Sequence, residues 1–381
     1  MGREVSIDIA RGLAIIFALT SHGLSQFTEQ IAALDSALIW VKLITRSATP
    51  MFFILFGIML SRVYLSKART LEQSRSVAIR IVERAIICYV LYLAITAAAV
   101  VSGKFEPIYL LKAMVLLEGG RFGMILAGYA VLFAIIFVTL PVGVRFGAWF
   151  YFGIAGVSWA TKIALDLAKV GPIAGLQPIL GHGTGFGPAI LLSFTFVAFG
   201  VLVDEAWTGR RSWAMPVAIL LIAIFGLAAN AFLLGWLENI YSLIFEYRWS
   251  NHALYFAYGV VMTAFIIGLT YWASRRQLPK GVYTIGIIGS ETLFAYTVGN
   301  ILLNLLPIYS SSSLLGAAYL VLYLLAIGVL TYKRRVVADF LDRVSLGAVD
   351  AIARTYRAGS RGLSEWVVRI FSPVILRTSS S

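Results

Sequence analysis

The sequence predicts an all-α fold, a polytopic transmembrane helical bundle, and three observations carry that expectation. Of the 381 residues, 60% are hydrophobic and only 13% charged, against about 25% charged in ordinary soluble domains. Mean hydropathy is +0.88. Apolar runs of about 20 residues, long enough to cross a hydrocarbon core, recur between polar connections.

Ten spans are expected, near 10–28, 38–61, 81–101, 121–141, 146–166, 186–204, 213–236, 253–273, 282–306 and 313–332. Asp8 lies ahead of the first, and no small-residue cleavage motif follows at a convincing distance. That span therefore reads as a retained signal anchor. The formal net charge of +13 would suggest nucleic acid in a soluble chain, but its placement argues otherwise. With the N-terminus inside, 23 of the 31 basic residues fall on inner segments: Arg3 and Arg11, six from Arg62 to Arg84, Arg145, Arg210 and Arg211, Arg275 to Lys280, and nine from Lys333 to Arg377. The positive-inside rule then places both termini in the cytoplasm. The partner implied is a lipid bilayer, not nucleic acid.

The connections leave no room for a separate soluble module. Four outer stretches are longer: Glu29–Ala37, Ser102–Gly120, Leu167–Gly185 and Leu237–Asn251. The third is glycine-rich, from Gly171-Pro172 to Gly181-His182-Gly183-Thr184-Gly185, which suits either a lid or a plain surface turn. Cys88 is the single cysteine, so no intrachain disulfide forms. The membrane domain is expected over 1–332 and a basic amphipathic cytoplasmic tail over 333–381. In that tail Val336, Val337, Phe340, Leu341, Val344, Val349 and Ile352 recur at helical spacing, as in a helix lying on the inner leaflet, with a partner-binding arm as the alternative. No internal repeat is visible, which counts against inverted-repeat transporter designs.

The first span carries the clearest chemistry. Arg11 and His22 are eleven residues apart, three helical turns, so both fall on one stripe roughly 16 Å apart. Asp8, three residues before Arg11, is placed to hold its guanidinium. Polar groups at such depth mark a site by default. The competing reading is a snorkelling arginine and a histidine satisfied by nearby hydroxyls.

Here the chain resembles a family. Arg11-Gly-Leu-Ala with a histidine eleven positions later looks like the first-span signature of the acyltransferase-3 integral membrane proteins, which are related to transmembrane amino-sugar acetyltransferases. Thr49-Pro50-Met51-Phe52-Phe53-Ile54-Leu55-Phe56-Gly57 is similar to the family's second-span element. Arg80-Ile-Val-Glu83-Arg84 is similar to the basic stretch opening its third span, and Gly289-Ser290-Glu291-Thr292-Leu293-Phe294-Ala295-Tyr296 resembles its tyrosine helix. The elements keep their order over about 300 residues, and the first is the most specific. Two departures stand out. Phe56 replaces a small polar residue, and Gly299 and Asn300 stand where a histidine often follows the tyrosine helix.

The resemblance implies an acyltransferase of a bacterial-type inner (plasma) membrane. It would move an acyl group, typically acetyl, from cytoplasmic acyl-CoA to a carbohydrate or glycolipid at the outer face. His22 would then be the catalytic base, because imidazole titrates near neutrality. Arg11 would position the donor, oriented by Asp8, and Arg80 and Arg84 would clamp the CoA diphosphate unless they serve topology alone. Acceptor contacts are expected from Lys42 and Arg46, four apart in the outer half of span two. Glu118 and Arg121, three apart, are either an ion pair or further acceptor contacts, and Glu291, inside span nine, needs a partner of its own. A homodimer is left open.

Other chemistries have no signature. His182, His252 and His22 are scattered without ligand spacing, so no metal is expected. There is no phosphate-cradling loop and no nucleophilic serine elbow. Trp40, Trp149, Trp159, Trp207, Trp213 and Trp272 lie mostly near span ends, as interfacial anchors do. Two rival classes remain: a transporter or lipid flippase whose conduit the polar stripe lines, and a non-catalytic envelope scaffold descended from the family.

Overall fold

An apolar segment in lipid must satisfy its own backbone N–H and C=O groups, and a helix does so within the segment. The computed structural model follows that rule. It describes residues 4–27, 36–68, 70–117, 120–171, 177–181, 187–276, 280–306, 313–334, 336 and 348–377, and among these it holds helices and turns but no strand. The glycine-rich stretch around His182, and Glu118, lie largely or wholly outside the described residues.

The chain opens with α1 (Val5–Phe27). α2 (Ser36–Arg46) and α3 (Ala48–Met59) follow, α3 continuing through a π turn at Leu60–Tyr64 and a tight turn at Leu65–Lys67. Next come α4 (Leu71–Val101), α5 (Pro107–Met114), α6 (Met124–Phe146), α7 (Ala148–Leu167) and the single turn α8 (Gln177–Leu180). The second half has α9 (Phe194–Trp207), α10 (Ala214–Leu234), α11 (Trp236–Phe245), α12 (Ala253–Ser274), α13 (Lys280–Ser290), α14 (Thr292–Leu305), α15 (Ser313–Tyr332) and α16 (Ala348–Arg377).

Among the described residues seven helical stretches are long and apolar enough to cross a membrane, or eight if α13 and α14 count as one span despite an 89° bend between them. The two other segments expected to cross, 146–166 and 186–204, are α7 and α9. α7 forms a helix of 20 residues over the expected segment but is not among those apolar enough to cross. α9 has only 14 residues, because residues 187–193 coil into turns before it. At 1.5 Å per residue it covers roughly 21 Å. The third expected span begins ten residues early, since Thr70 caps α4 by accepting from the Gln73 amide at 3.3 Å.

α9 is the buried centre, nearly every residue being inaccessible, and it packs between α3 and α7. Gly57 and Gly200 make the α3–α9 crossing possible. A Cβ on Gly57 would lie 2.2 Å from the Val197 carbonyl oxygen, and one on Gly200 2.1 Å from that of Ile54. α1 is surrounded by α3, α12, α13, α14 and α15. α16 packs on α4 and α6, burying Ser360, Ser364 and Val368 at a spacing of four; residues 337–347, with most of the expected amphipathic stripe, lie outside the described residues.

One end of the bundle is tied by charge. Asp204, fully buried, accepts from Arg62 Nε and from Arg210 Nη2, both at 2.8 Å, while Arg210 also donates to Ser61 Oγ at 2.7 Å. Arg62 reaches on to Glu4 at 3.0 Å. Glu205 pairs with Arg211 at 2.5 Å and accepts from the Ala148 amide at 3.2 Å, satisfying a free donor at the start of α7.

Candidate active site

At the opposite end, the last turns of α1, the start of α3, α2 and the segments at 120–125, 187–190 and 245–249 surround a cavity of about 460 Å³. His22, on the cavity wall, is supplied by α1. Its position depends on how closely α1 approaches α13. A Cβ on Gly12 would lie 2.1 Å from the Ile285 carbonyl oxygen, and one on Gly289 1.7 Å from that of Asp8. The two glycines belong to the first and last family-like elements of the sequence, which therefore meet in space.

The chain then bends at Glu291, and α14 turns up beside α1. Its Asn300 is fully buried and places Oδ1 2.7 Å from His22 Nδ1. The amide orientation follows from its other bond, because Asn300 Nδ2 donates to the Tyr296 carbonyl at 2.8 Å. Oδ1 is then an acceptor, so Nδ1 of the imidazole carries the proton and Nε2 is the acceptor nitrogen of the neutral ring. Phe122 stacks on the imidazole with ring centres 4.4 Å apart. Its backbone is left-handed (φ +60°), an uncommon conformation for a bulky residue, and its carbonyl accepts from the Tyr296 hydroxyl at 2.7 Å. The ring is thus fixed by a hydrogen bond on one edge and a stack on one face.

Lys42, Arg46 and Arg248 line the same cavity, together with the hydroxyl residues Ser21, Ser25, Thr45 and Thr49. Lys42 lies 5.1 Å from the centre of the Phe245 ring. Arg121 is beside the cavity, donating to Gln26 Oε1 at 2.6 Å and standing over Phe122. Arg248, Arg46 and Arg121 are all within electrostatic reach of His22. Beyond the helix ends, Lys104 donates to the Leu303 carbonyl at 2.9 Å, and burial, then Arg121, holds its amine down to about 8. His252 caps α12, accepting from the Leu254 amide at 3.3 Å; burial and then Lys162 lower its pKa.

The remaining sequence candidates are placed elsewhere. Arg11 pairs with Asp8 at 3.8 Å, as their spacing suggested, but it is not on the cavity wall; it faces Tyr129 of α6 nearer the other end. Arg80 and Arg84 lie near Tyr64, also away from the cavity. Glu291 is not inside a continuous span. It sits at the bend between α13 and α14 and pairs with Arg334, just beyond α15, the partner that the sequence did not identify. Among the described residues no three His, Cys, Asp or Glu side chains gather as a metal site.

Sequence reasoning missed Phe122, Arg248 and the roles of Tyr296 and Asn300. Asn300 stood out only as a departure from the family pattern. Arg248 had one signal, an arginine on the side where few are expected. Compared with known proteins, the chain matches no family model, and no curated protein or solved structure matches it at a significant level.

Proposed function

We propose that this protein is a multi-pass acyltransferase of a bacterial-type inner membrane, moving an acyl group from cytoplasmic acyl-CoA to a hydroxyl of a carbohydrate or glycolipid at the outer face. In this reading the chain crosses ten times, α7 and α9 joining the eight apolar segments, with both termini on the strongly basic side. The observation that carries it is His22: a tautomer fixed by Asn300, on the wall of a hydroxyl-lined cavity.

His22 Nε2 takes the acceptor's hydroxyl proton as the oxygen attacks the thioester carbonyl carbon. The C–S bond then breaks, and the CoA thiolate recovers the proton from Nε2. Arg11, on the same helix and about 16 Å closer to the donor side, holds the phosphate or pantetheine part of CoA. Arg80 and Arg84 extend that basic mouth.

Membranes containing the protein should transfer label from radioactive acetyl-CoA to a glycan or glycolipid, and His22→Ala should abolish transfer. Undiminished transfer by that variant would remove the mechanism.

A further inference from the structure

Eight of the 31 basic residues fall where an inner-positive distribution expects few, and three of them, Lys42, Arg46 and Arg248, line one cavity. A fourth, Arg121, stands beside it on Gln26. Among the described residues the wall carries no Asp or Glu, and neither Arg46 nor Arg248 forms an ion pair. Arg248 is held by neutral groups. Arg248 Nε donates to the Gly187 carbonyl at 2.9 Å, and its guanidinium lies 4.9 Å from the Trp249 ring centre. The 187 and 248 backbones are in contact, since a Cβ on Gly187 would lie 1.6 Å from the Arg248 carbonyl oxygen. Arg248 is therefore braced from behind through Nε, and among the described residues its terminal N–H donors have no hydrogen-bond partner.

Like charges gathered on a partly dehydrated wall repel, and an oxyanion between them removes that cost. By contrast, the ion network at Asp204 matches its cations with buried carboxylates. Among the described residues the wall sets Arg46 and Arg248 beside hydroxyl groups with no carboxylate among them.

We propose that the acceptor carries an oxyanion, phosphate or carboxylate, which seats against Arg46 and Arg248 with Lys42 nearby, leaving a sugar hydroxyl at His22. The role of the hydroxyl rests on the acyl-transfer reading; the anion seat does not.

Purified protein in detergent is titrated with glucose 1-phosphate, glucuronate, methyl glucoside, farnesyl phosphoglucose and CoA. Glucose 1-phosphate and glucuronate should bind about 10- to 100-fold more tightly than methyl glucoside. Arg46→Gln and Arg248→Gln should erase the difference, and Arg46→Lys should keep part of it. Tighter binding of farnesyl phosphoglucose than of glucose 1-phosphate assigns a lipid-linked acceptor, and equal binding a soluble glycan. Equal affinity of wild type for neutral and anionic glucosides overturns the proposal without relying on a variant. So does a dependence on Arg46 and Arg248 that only CoA shows. If the anions bind as expected but no label ever leaves acetyl-CoA, the seat stands and the transferase reading falls.

Discussion

His22 Nδ1 and Asn300 Oδ1 lie 2.7 Å apart although 278 residues separate them in the chain. The asparagine is locked by its own bond to the Tyr296 carbonyl, so it acts as an orienting group for the imidazole. In the proposed acyl transfer, Asn300→Ala should lower kcat about 10- to 100-fold with little change in KM for the proposed acyl-CoA donor. Asn300→Gln should not restore it, because the longer side chain shifts the acceptor oxygen. A purely structural role would instead lower the amount of folded protein and leave kcat per folded molecule unchanged.

The α1–α13 crossing depends on the absence of two side chains. Gly289→Ala would set a methyl group 1.7 Å from the Asp8 carbonyl oxygen, so backbone must move. A destabilisation of about 1–3 kcal/mol is expected from such overpacking, read as a lower Tm in detergent. Gly268→Ala in α12, where nothing lies within 4 Å, is the control and should leave Tm unchanged.

Asp204 accepts from two arginines and is wholly buried. Asp204→Ala leaves Arg62 and Arg210 facing each other without their shared anion, a loss of about 3–5 kcal/mol for a broken buried pair. Chemical unfolding should show it. The exposed Arg361–Glu365 pair in α16 is the comparison, and Glu365→Ala should cost under about 1 kcal/mol.

Lys104 gives a pH dependence with a definite sign. Its amine is held down to about 8 in the folded protein against 10.5 ordinarily, by burial first and then by Arg121. Between those values the unfolded chain binds more protons than the folded one, so stability rises with pH across that window. Tm measured from pH 8 to 10.5 should carry this rise, and Lys104→Met should remove it.

How much of this was readable in the sequence depends on range. Periodicity and hydropathy are local, so the helices of the bundle, the Asp8–Arg11 pair and the stripe holding His22 could be found by counting residues. The cations Lys42 and Arg46 could be suspected because they break the charge bias. The π turn after α3, the shortening of α9 and the bend at Glu291 could not, since hydropathy runs unbroken through all three; the residues around them, Gly57 packed on Gly200, the turns at 187–193 and Glu291 paired with Arg334, come together only in the fold. Asn300 was invisible as a partner for the same reason. The packing of α14 on α1 brings it alongside His22.

The bend also leaves α14 as a short helix beside the imidazole. α13 leans away by 89°, so α14 rises alone with 14 residues, roughly 21 Å of helix. α9, whose approach contributes Ile190 to the cavity, is equally short. Both fall short of a hydrocarbon layer about 30 Å thick. Both helices are largely buried within the protein, so the depth they leave uncovered is closed by the chain's own turns rather than by acyl tails, and the cavity at His22 lies among those turns.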